Sequence, residues 1–420
     1  MKAVSFHVSV PRYLLARALG GMTSSVTFGR LSGLKYGDWP APGLPGEEWA
    51  RLRVLQCGIC GTDLSNLTFS VSPALEPFSS FPAVPGHEVL ARVEEVGGKV
   101  EDVAPGDRVV VDPLIGCRVR EQPRGDFCSS CRDGLPATCG ESGESGPLRV
   151  EEEPLAPGMI VGYHRDLPGG WGEEMVAHRS QLHRVPDDLG DRAAVLTEPL
   201  SISVHAVLRA PPESGGPVLV IGSGPMAMTT IWALRATGYE GLLVAQAKRK
   251  KEKELARLMG ADEVVSPGDE ARQALVDETG AMAYQPLVGP EVYAGGGFPS
   301  VYDCVGSRGS FEQALGWTAP RGRIVMLGCA ARTSKLDLTF LWARELDVRG
   351  VYGYGTEVWE GEDRHTFQLT LELLQTTPAP VDRLVTHVFP LSQLSDALNA
   401  AANRKKSEAM KVVLTPPGSP

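Results

Sequence analysis

Residues 218–221, Val-Leu-Val-Ile, run straight into Gly222-Ser223-Gly224-Pro225-Met226-Ala227, and a helical stretch over 226–237 follows. An apolar run, a glycine turn and a helix in that order commit this part of the chain to a strand–turn–helix unit of a parallel sheet. The turn fits G-x-G-x-x-A, in which the backbone can approach a pyrophosphate held on the free N–H groups of the helix start. Gly222, Ser223, Gly224, Pro225, Met226 and Ala227 are therefore candidates to bind a dinucleotide, with an ordinary strand–helix turn as the plain alternative. The alternation continues. Residues 242–245 read as a second strand, 250–259 as a charged helix ended by Gly260, and 264–265, 301–305 and 323–327 as further strands. This is the pattern of a doubly wound parallel sheet. Val305 and Gly328, at the ends of the later strands, are assigned to the cofactor side.

The end of the second strand is where an NAD-binding chain places an acid on the ribose 2′-hydroxyl. Here Val244-Ala245-Gln246-Ala247 carries none, and Lys248-Arg249-Lys250-Lys251 follows. Basic groups at a helix start oppose the helix dipole unless an anion sits there. Ala247, Lys248 and Arg249 thus point to the 2′-phosphate of NADP, with NAD as the alternative; a solvated charge run is the other reading.

The first 185 residues or so differ in texture, with short β-branched runs at 52–55, 89–96 and 107–111 punctuated by Gly and Pro. They suggest a β-rich domain with hairpins and long loops. Two stretches look inserted, 11–21 and the acidic 141–158, and the chain ends in a strand-like 411–414 and a Pro-rich tail.

Cysteines carry the next constraint. Eight occur, at 57, 60, 117, 128, 131, 139, 304 and 329, and in a long chain such clustering reads as metal binding before disulfides. Cys128, Cys131 and Cys139, completed by Cys117, form a Cys₄ set with no open position, suited to a structural zinc; buried thiols or a disulfide are the alternatives. A second set is open. Cys60, His87 and Glu198 offer one thiolate, one imidazole and one carboxylate, the donors of a catalytic zinc that keeps a fourth position for substrate. Asp63 is the carboxylate expected to orient a ligand histidine, and Thr62 can pass the proton of a substrate hydroxyl. Glu88 is either an outer partner or an alternate ligand. Cys57 reads as a packed thiol, and His164, His178, His183 and His205 as structural or surface residues.

These residues resemble the zinc-dependent medium-chain alcohol dehydrogenase family over nearly the whole chain. The motifs are Gly58-Ile59-Cys60-Gly61-Thr62-Asp63, Pro85-Gly86-His87-Glu88, the runs 93–100 and 105–109, the cysteine lobe, Glu198-Pro199-Leu200-Ser201 and the turn 222–227. Glu at 198, rather than Cys, looks like the polyol, glucose and threonine dehydrogenase branch. The resemblance implies an α/β protein with a GroES-like β-rich catalytic domain over 1–190, a Rossmann domain over 191–349 and a C-terminal return to the first domain over 350–420. It also implies an active site between the domains, one catalytic and one structural zinc, and a homodimer or homotetramer. Lys411 falls where the family places a basic residue near the cofactor pyrophosphate. Two departures stand out: Gly125 occupies the usual place of the first structural cysteine, so Cys117 reaches across an insertion. Ser65 stands where many relatives carry a relay histidine, so the proton path runs through Thr62 and water or through Ser65.

The formal net charge of −10 argues against nucleic acid or an anionic membrane as partner. No apolar run approaches a bilayer span, and a cytoplasmic enzyme acting on a small alcohol or carbonyl is expected. The rival is a redox-silent NADPH-binding protein of the same fold, against which the complete Cys60, His87 and Glu198 set argues. The loops 67–82 and 342–354, rich in aromatic and aliphatic residues, are the expected substrate lining and favour a neutral secondary alcohol, polyol or ketone.

Overall fold

Strand Trp49–Gly58 is the spine of the first of two units, and its burial pattern shows why: seven of its ten residues are buried, so both faces carry apolar side chains. The computed structural model describes residues 1–19, 24–29, 31–143, 146–329 and 334–418. The first unit comprises Met1–Glu198, Tyr354–Leu374 and Val385–Pro420; the second comprises Pro199–Gly353 and Gln375–Leu384.

In the first unit the sheet order is Val385–Pro390, Lys411–Thr415, Trp49–Gly58, Glu88–Val96, Arg108–Val111, Leu182–Arg184, with Glu174–His178 also paired to the spine. The spine takes two neighbours along one edge. Glu174–His178 pairs with its first half, through Trp49↔His178 to Arg53↔Glu174, and the C-terminal strand with its end, through Leu414↔Cys57 and Val413↔Gly58. That second pairing carries Lys411 to the threshold of Cys60, since Ile59 N–H donates to the carbonyl of Val412 at 2.9 Å. The core beneath this sheet is built from Trp49, Leu52, Val54, Val109, Trp171 and Leu414 among others, all essentially unexposed.

The second unit holds a six-stranded parallel sheet in the order Glu263–Val265, Leu243–Gln246, Val218–Ile221, Phe298–Asp303, Thr318–Met326, Asp347–Gly350. All four residues of Val218–Ile221 are buried, as expected of a parallel strand covered on both faces. Helix Pro225–Ala236 begins with Pro at its first position and gives way to Gly238 at φ 89°, a left-handed turn that a glycine takes without steric cost. The strands and helices read from sequence all form, with ends moved by a few residues.

The inserted stretches take definite shapes. Residues 11–21 contribute to helix Val10–Leu19, with 20–21 outside the described residues. Within 141–158 lies the small hairpin Arg149–Val150 with Glu153–Pro154; 144–145 are outside the described residues, as are 419–420 of the tail. In the second unit Met282–Tyr284 and Val292–Ala294 form a hairpin whose Leu287 and Val288 are fully exposed.

Candidate active site

Cys60 caps the short helix Gly61–Leu67 and donates its N–H to Asp63 Oδ2 at 2.7 Å. Helical spacing brings Asp63 back over the helix start, so one carboxylate fixes the backbone that carries the thiol. The other oxygen of Asp63 accepts a short hydrogen bond from the buried Tyr163 hydroxyl and lies 3.5 Å from His87 Nδ1. That nitrogen is buried and makes no hydrogen bond among the described residues. Burial depresses the basicity of His87, but the facing Asp63 and the Cys60 thiol outweigh it and hold its pKa well above the ordinary value. A cation and a proton therefore compete for this imidazole.

Opposite, Glu88 pairs across strands with Gly58. The register explains the glycine: a Cβ at 58 would lie 1.9 Å from Glu88 Oε2, so the absent side chain is the space the carboxylate occupies. Both oxygens of Glu88 accept from Lys411 Nζ, at 2.6 and 2.7 Å, and the two residues are 1% and 3% exposed. Donor atoms of Cys60, His87 and Glu88 lie within 4.8 Å of one another. A thiol, an imidazole and a carboxylate converging in a buried place fit a zinc that keeps an open position.

The third member of this close set is Glu88, the alternate ligand of the sequence analysis, and Glu198 lies outside it. Glu198 is buried too. Its Oε1 accepts from Tyr354 at 3.3 Å, and burial, partly offset by His87, pushes its pKa up to about 8. Thr62 stands beside the site, its Oγ1 3.7 Å from Cys60 Sγ, and Ser65 sits half-buried further along the same helix. Cys57 is fully buried against Gly58, and burial pushes its thiol pKa up. Of the expected substrate lining, Phe69 and Phe81 pack instead on Phe6, with ring centroids 6.1 and 5.6 Å apart, and belong to the edge of the core.

Cys117, Cys128, Cys131 and Cys139 gather within 4.8 Å, so Cys117 does reach across its insertion. All are free thiols, and the Cys117–Cys139 and Cys128–Cys139 sulfurs lie 3.7 and 3.9 Å apart. Four sulfurs about 2.3 Å from one zinc stand roughly 3.8 Å from each other, so the set fits a structural zinc. The N–H groups of Cys128 and Gly140 already point at Cys117 Sγ and Cys128 Sγ, at 3.4 and 3.3 Å, donors suited to thiolates.

In the second unit the turn after Val218–Ile221 has Gly222 at φ 130°; a Cβ there would press on Val305 at 3.1 Å and Cys304 at 3.4 Å. Ala227 is buried beneath it, and Asp303 fixes the neighbouring loop by accepting from the N–H groups of Val305 and Gly306 at 2.9 and 3.1 Å. This is the bare-backbone cradle that a pyrophosphate requires. At the second strand's end Gln246 is 3% exposed, and its Nε2 has no partner among the described residues. Glu252 accepts from the N–H groups of Lys248 and Arg249, and its Oε1 holds Arg249 Nη1 at 2.7 Å. Lys411, assigned above to the cofactor, has its ammonium bound to Glu88.

Sequence reasoning missed one association. His183, expected to be a structural or surface residue, meets His365 and Asp112, with donor atoms within 4.8 Å. No local motif announces it, because the three come from separate parts of the chain.

Two family models match the chain, an alcohol dehydrogenase GroES-like domain over residues 46–187 and a zinc-binding dehydrogenase domain over 225–375. L-idonate 5-dehydrogenase of Vitis vinifera is 28% identical over 383 residues, 90% of this chain and 91% of its own length. Human sorbitol dehydrogenase is 26% identical over 386 residues, covering 91% and 92%. Among solved structures, a zinc-binding dehydrogenase of Sinorhizobium meliloti bound to NADP shares the fold at a TM-score of 0.70 and 24% identity over 99% of each chain. The 2R,3R-butanediol dehydrogenase of Bacillus subtilis does so at 0.69 and 22%, again over 99% of each chain. With both domains matched and both metal sets assembled, the chain belongs to the zinc-dependent medium-chain alcohol dehydrogenase family and is a zinc-dependent, nicotinamide-linked oxidoreductase.

Proposed function

We propose that this enzyme interconverts polyols or neutral secondary alcohols with their ketones, using NADP in preference to NAD. The observation that carries the reading is the convergence of Cys60, His87 and Glu88, with Glu198 buried alongside and Asp63 behind the imidazole. Cys60 and His87 would hold the zinc, with Glu88 as the third donor. Lys411 leaves Glu88 able to serve, because each carboxylate oxygen has a further lone pair and the ammonium offsets its charge. Bound zinc supplies polarisation of the substrate oxygen, and bound nicotinamide supplies or accepts the hydride. The chain's own part is positional and protonic. Asp63 and Tyr163 orient His87, Thr62 Oγ1 stands beside Cys60 to pass the substrate proton, and Glu198, with a pKa near 8, can hold a proton at neutral pH. The 28% and 26% identical idonate and sorbitol dehydrogenases support the polyol class. The basic Lys248 and Arg249, and Gln246 in place of an acid, support NADP.

The parallel sheet ends in strand Asp347–Gly350, an edge that supports a homodimer or homotetramer, measurable by light scattering. Among the described residues no helix is long and apolar enough to cross a membrane, and the eight free cysteines support a reducing, cytoplasmic setting.

The test is a panel of polyols and secondary alcohols assayed with NADP and with NAD, together with zinc analysis. Turnover of polyols, one zinc equivalent in each of the two cysteine-containing sets, and loss of one of these equivalents with activity in Cys60→Ala and in His87→Ala are expected. Turnover that survives either substitution would sink the assignment.

A further inference from the structure

We propose that Asp112, His183 and His365 form a third metal site, one that takes a divalent ion of zinc-like chemistry and clasps three distant parts of the first unit together. Asp112 follows strand Arg108–Val111, His183 lies on the paired strand Leu182–Arg184, and His365 ends Glu362–His365, the second strand of a hairpin from the returning segment. Their donor atoms lie within 4.8 Å of one another. Asp112 is 4% exposed, with Oδ1 accepting the N–H of Leu114 at 2.8 Å and Oδ2 3.2 Å from His365 Nε2. The two imidazoles stack with centroids 4.5 Å apart.

One atom is unexplained without an ion. His183 Nε2 is buried and has no hydrogen-bond partner among the described residues. A buried, unpaired ring nitrogen is costly unless something docks on it. Its neighbours are another imidazole and a carboxylate, so two nitrogens and an oxygen converge. That donor set suits zinc, cobalt or nickel and is poor for magnesium or calcium, which ask for oxygen. Zinc donors in a tetrahedron stand roughly 3.4 Å apart; His365 Nε2 and Asp112 Oδ2 already stand at 3.2 Å, and the His183 donor, within 4.8 Å of both, has at most about 1.4 Å to close, within the reach of side-chain rotation. The side chain of His365 is 24% exposed, which leaves a way in for the ion and a place for water as the remaining ligand.

The hydrogen bonds also set the strength. His365 Nδ1 accepts the N–H of Phe367 at 3.3 Å, so its proton sits on Nε2 and is shared with Asp112. An ion on Nε2 displaces that proton to Nδ1 and gives up the long Phe367 contact. This site should therefore bind more weakly than the two cysteine-containing sets. Filling it would have a structural consequence nearby. Phe367 lies against both imidazoles and meets the Tyr354 ring at 4.7 Å, and the Tyr354 hydroxyl donates to Glu198. An ion at the clasp would hold in register the segment that presents Tyr354 to that carboxylate.

The test uses the full-length holoprotein with its cysteine-containing sites already loaded. Zinc alone is titrated in by calorimetry, with metal analysis after desalting. The inference expects a third equivalent in the wild type, stripped first by a mild chelator. In His183→Ala and in His365→Ala its affinity should fall at least tenfold while the other two equivalents stay. His183→Gln, close to isosteric, serves as a second variant should the alanine change disturb folding, and cobalt-soaked crystals give a direct anomalous peak at the clasp. A wild type that saturates at two equivalents overturns the inference. So does a third equivalent that persists in all three variants, which would mark an adventitious ion elsewhere. Neither outcome touches the assignment of Cys60, His87 and Glu88, whose failure shows in the Cys60 and His87 variants instead.

Discussion

The ammonium of Lys411 rests on both carboxylate oxygens of Glu88, at 2.6 and 2.7 Å, although the two stand 323 positions apart in sequence. The pair ties the C-terminal strand to strand Glu88–Val96 across the end of the spine strand, at the point where Cys60 begins its helix. Burial would lower the Lys411 pKa, but Glu88 facing it more than reverses this and holds the ammonium charged. Two charges so deep are stable only as a pair, because each compensates the desolvation of the other.

Removing one partner should therefore cost far more than removing both. In the zinc-free protein Lys411→Met is expected to cost about 3–5 kcal/mol in urea unfolding, because Glu88 is left as an uncompensated buried charge. The double variant Lys411→Met, Glu88→Gln should recover most of that loss. Equal stabilities for single and double variants would show that the pair is not coupled.

Tyr163 acts on the metal through Asp63. Tyr163→Phe removes the hydroxyl that Asp63 accepts and frees that carboxylate to drift from His87 Nδ1. Loss of such an outer hydrogen bond typically costs metal affinity by roughly 10- to 100-fold. A chelator competition on the Cys60 and His87 site should show a fall of that order, with the Cys₄ zinc and nicotinamide binding unaffected. Unchanged zinc release kinetics would leave Tyr163 with packing alone.

Glu198 predicts a pH slope. Its pKa near 8 lies far above that of an exposed glutamate, so between the unfolded and folded values the native state holds a proton that the unfolded chain has released. Stability of the zinc-free protein is then highest below the unfolded value and falls as pH rises towards 8, by up to about 1.4 kcal/mol per pH unit from this group. Glu198→Gln should flatten that part of the profile, measured as urea midpoints from pH 5 to 8. A slope untouched by the substitution would place its cause elsewhere.

The two units differ in how readable they are. Strand Val218–Ile221 appears in the structure with the bounds of its apolar run, because a strand buried on both faces leaves its whole length hydrophobic. The cysteine lobe was legible from spacing, since four thiols so close in sequence have little else to do together. The choice between Glu88 and Glu198 was not. It depends on Gly58 pairing with Glu88 across two strands and on a lysine arriving from the chain's end, a register that no local period records. The signal that could have pointed to it was the glycine itself, immediately before Ile59 and Cys60. Asp112, His183 and His365 illustrate the same limit, being joined only by the return of a distant hairpin to the sheet.

The proposed preference for NADP rests on one corner of the parallel sheet. Gln246 stands where an acid would accept from a ribose hydroxyl; it is buried, and its amide nitrogen lacks a partner among the described residues. A neutral amide there does not repel a 2′-phosphate, whereas a carboxylate would. Arg249 is already drawn to this turn by Glu252, at 2.7 Å, which limits the side-chain freedom it must lose on binding. A hydrogen bond from a charged donor is worth about 1.5–3 kcal/mol, so Arg249→Ala should lower kcat/KM for NADP by roughly 10- to 150-fold and leave NAD almost unchanged. Gln246→Asp should act in the opposite sense on the two cofactors, weakening NADP by charge repulsion while giving the NAD ribose an acceptor. Steady-state kinetics with both cofactors read the two effects together. Should Arg249→Ala reduce NAD and NADP equally, the basic run is a solvated helix start and the preference for NADP falls.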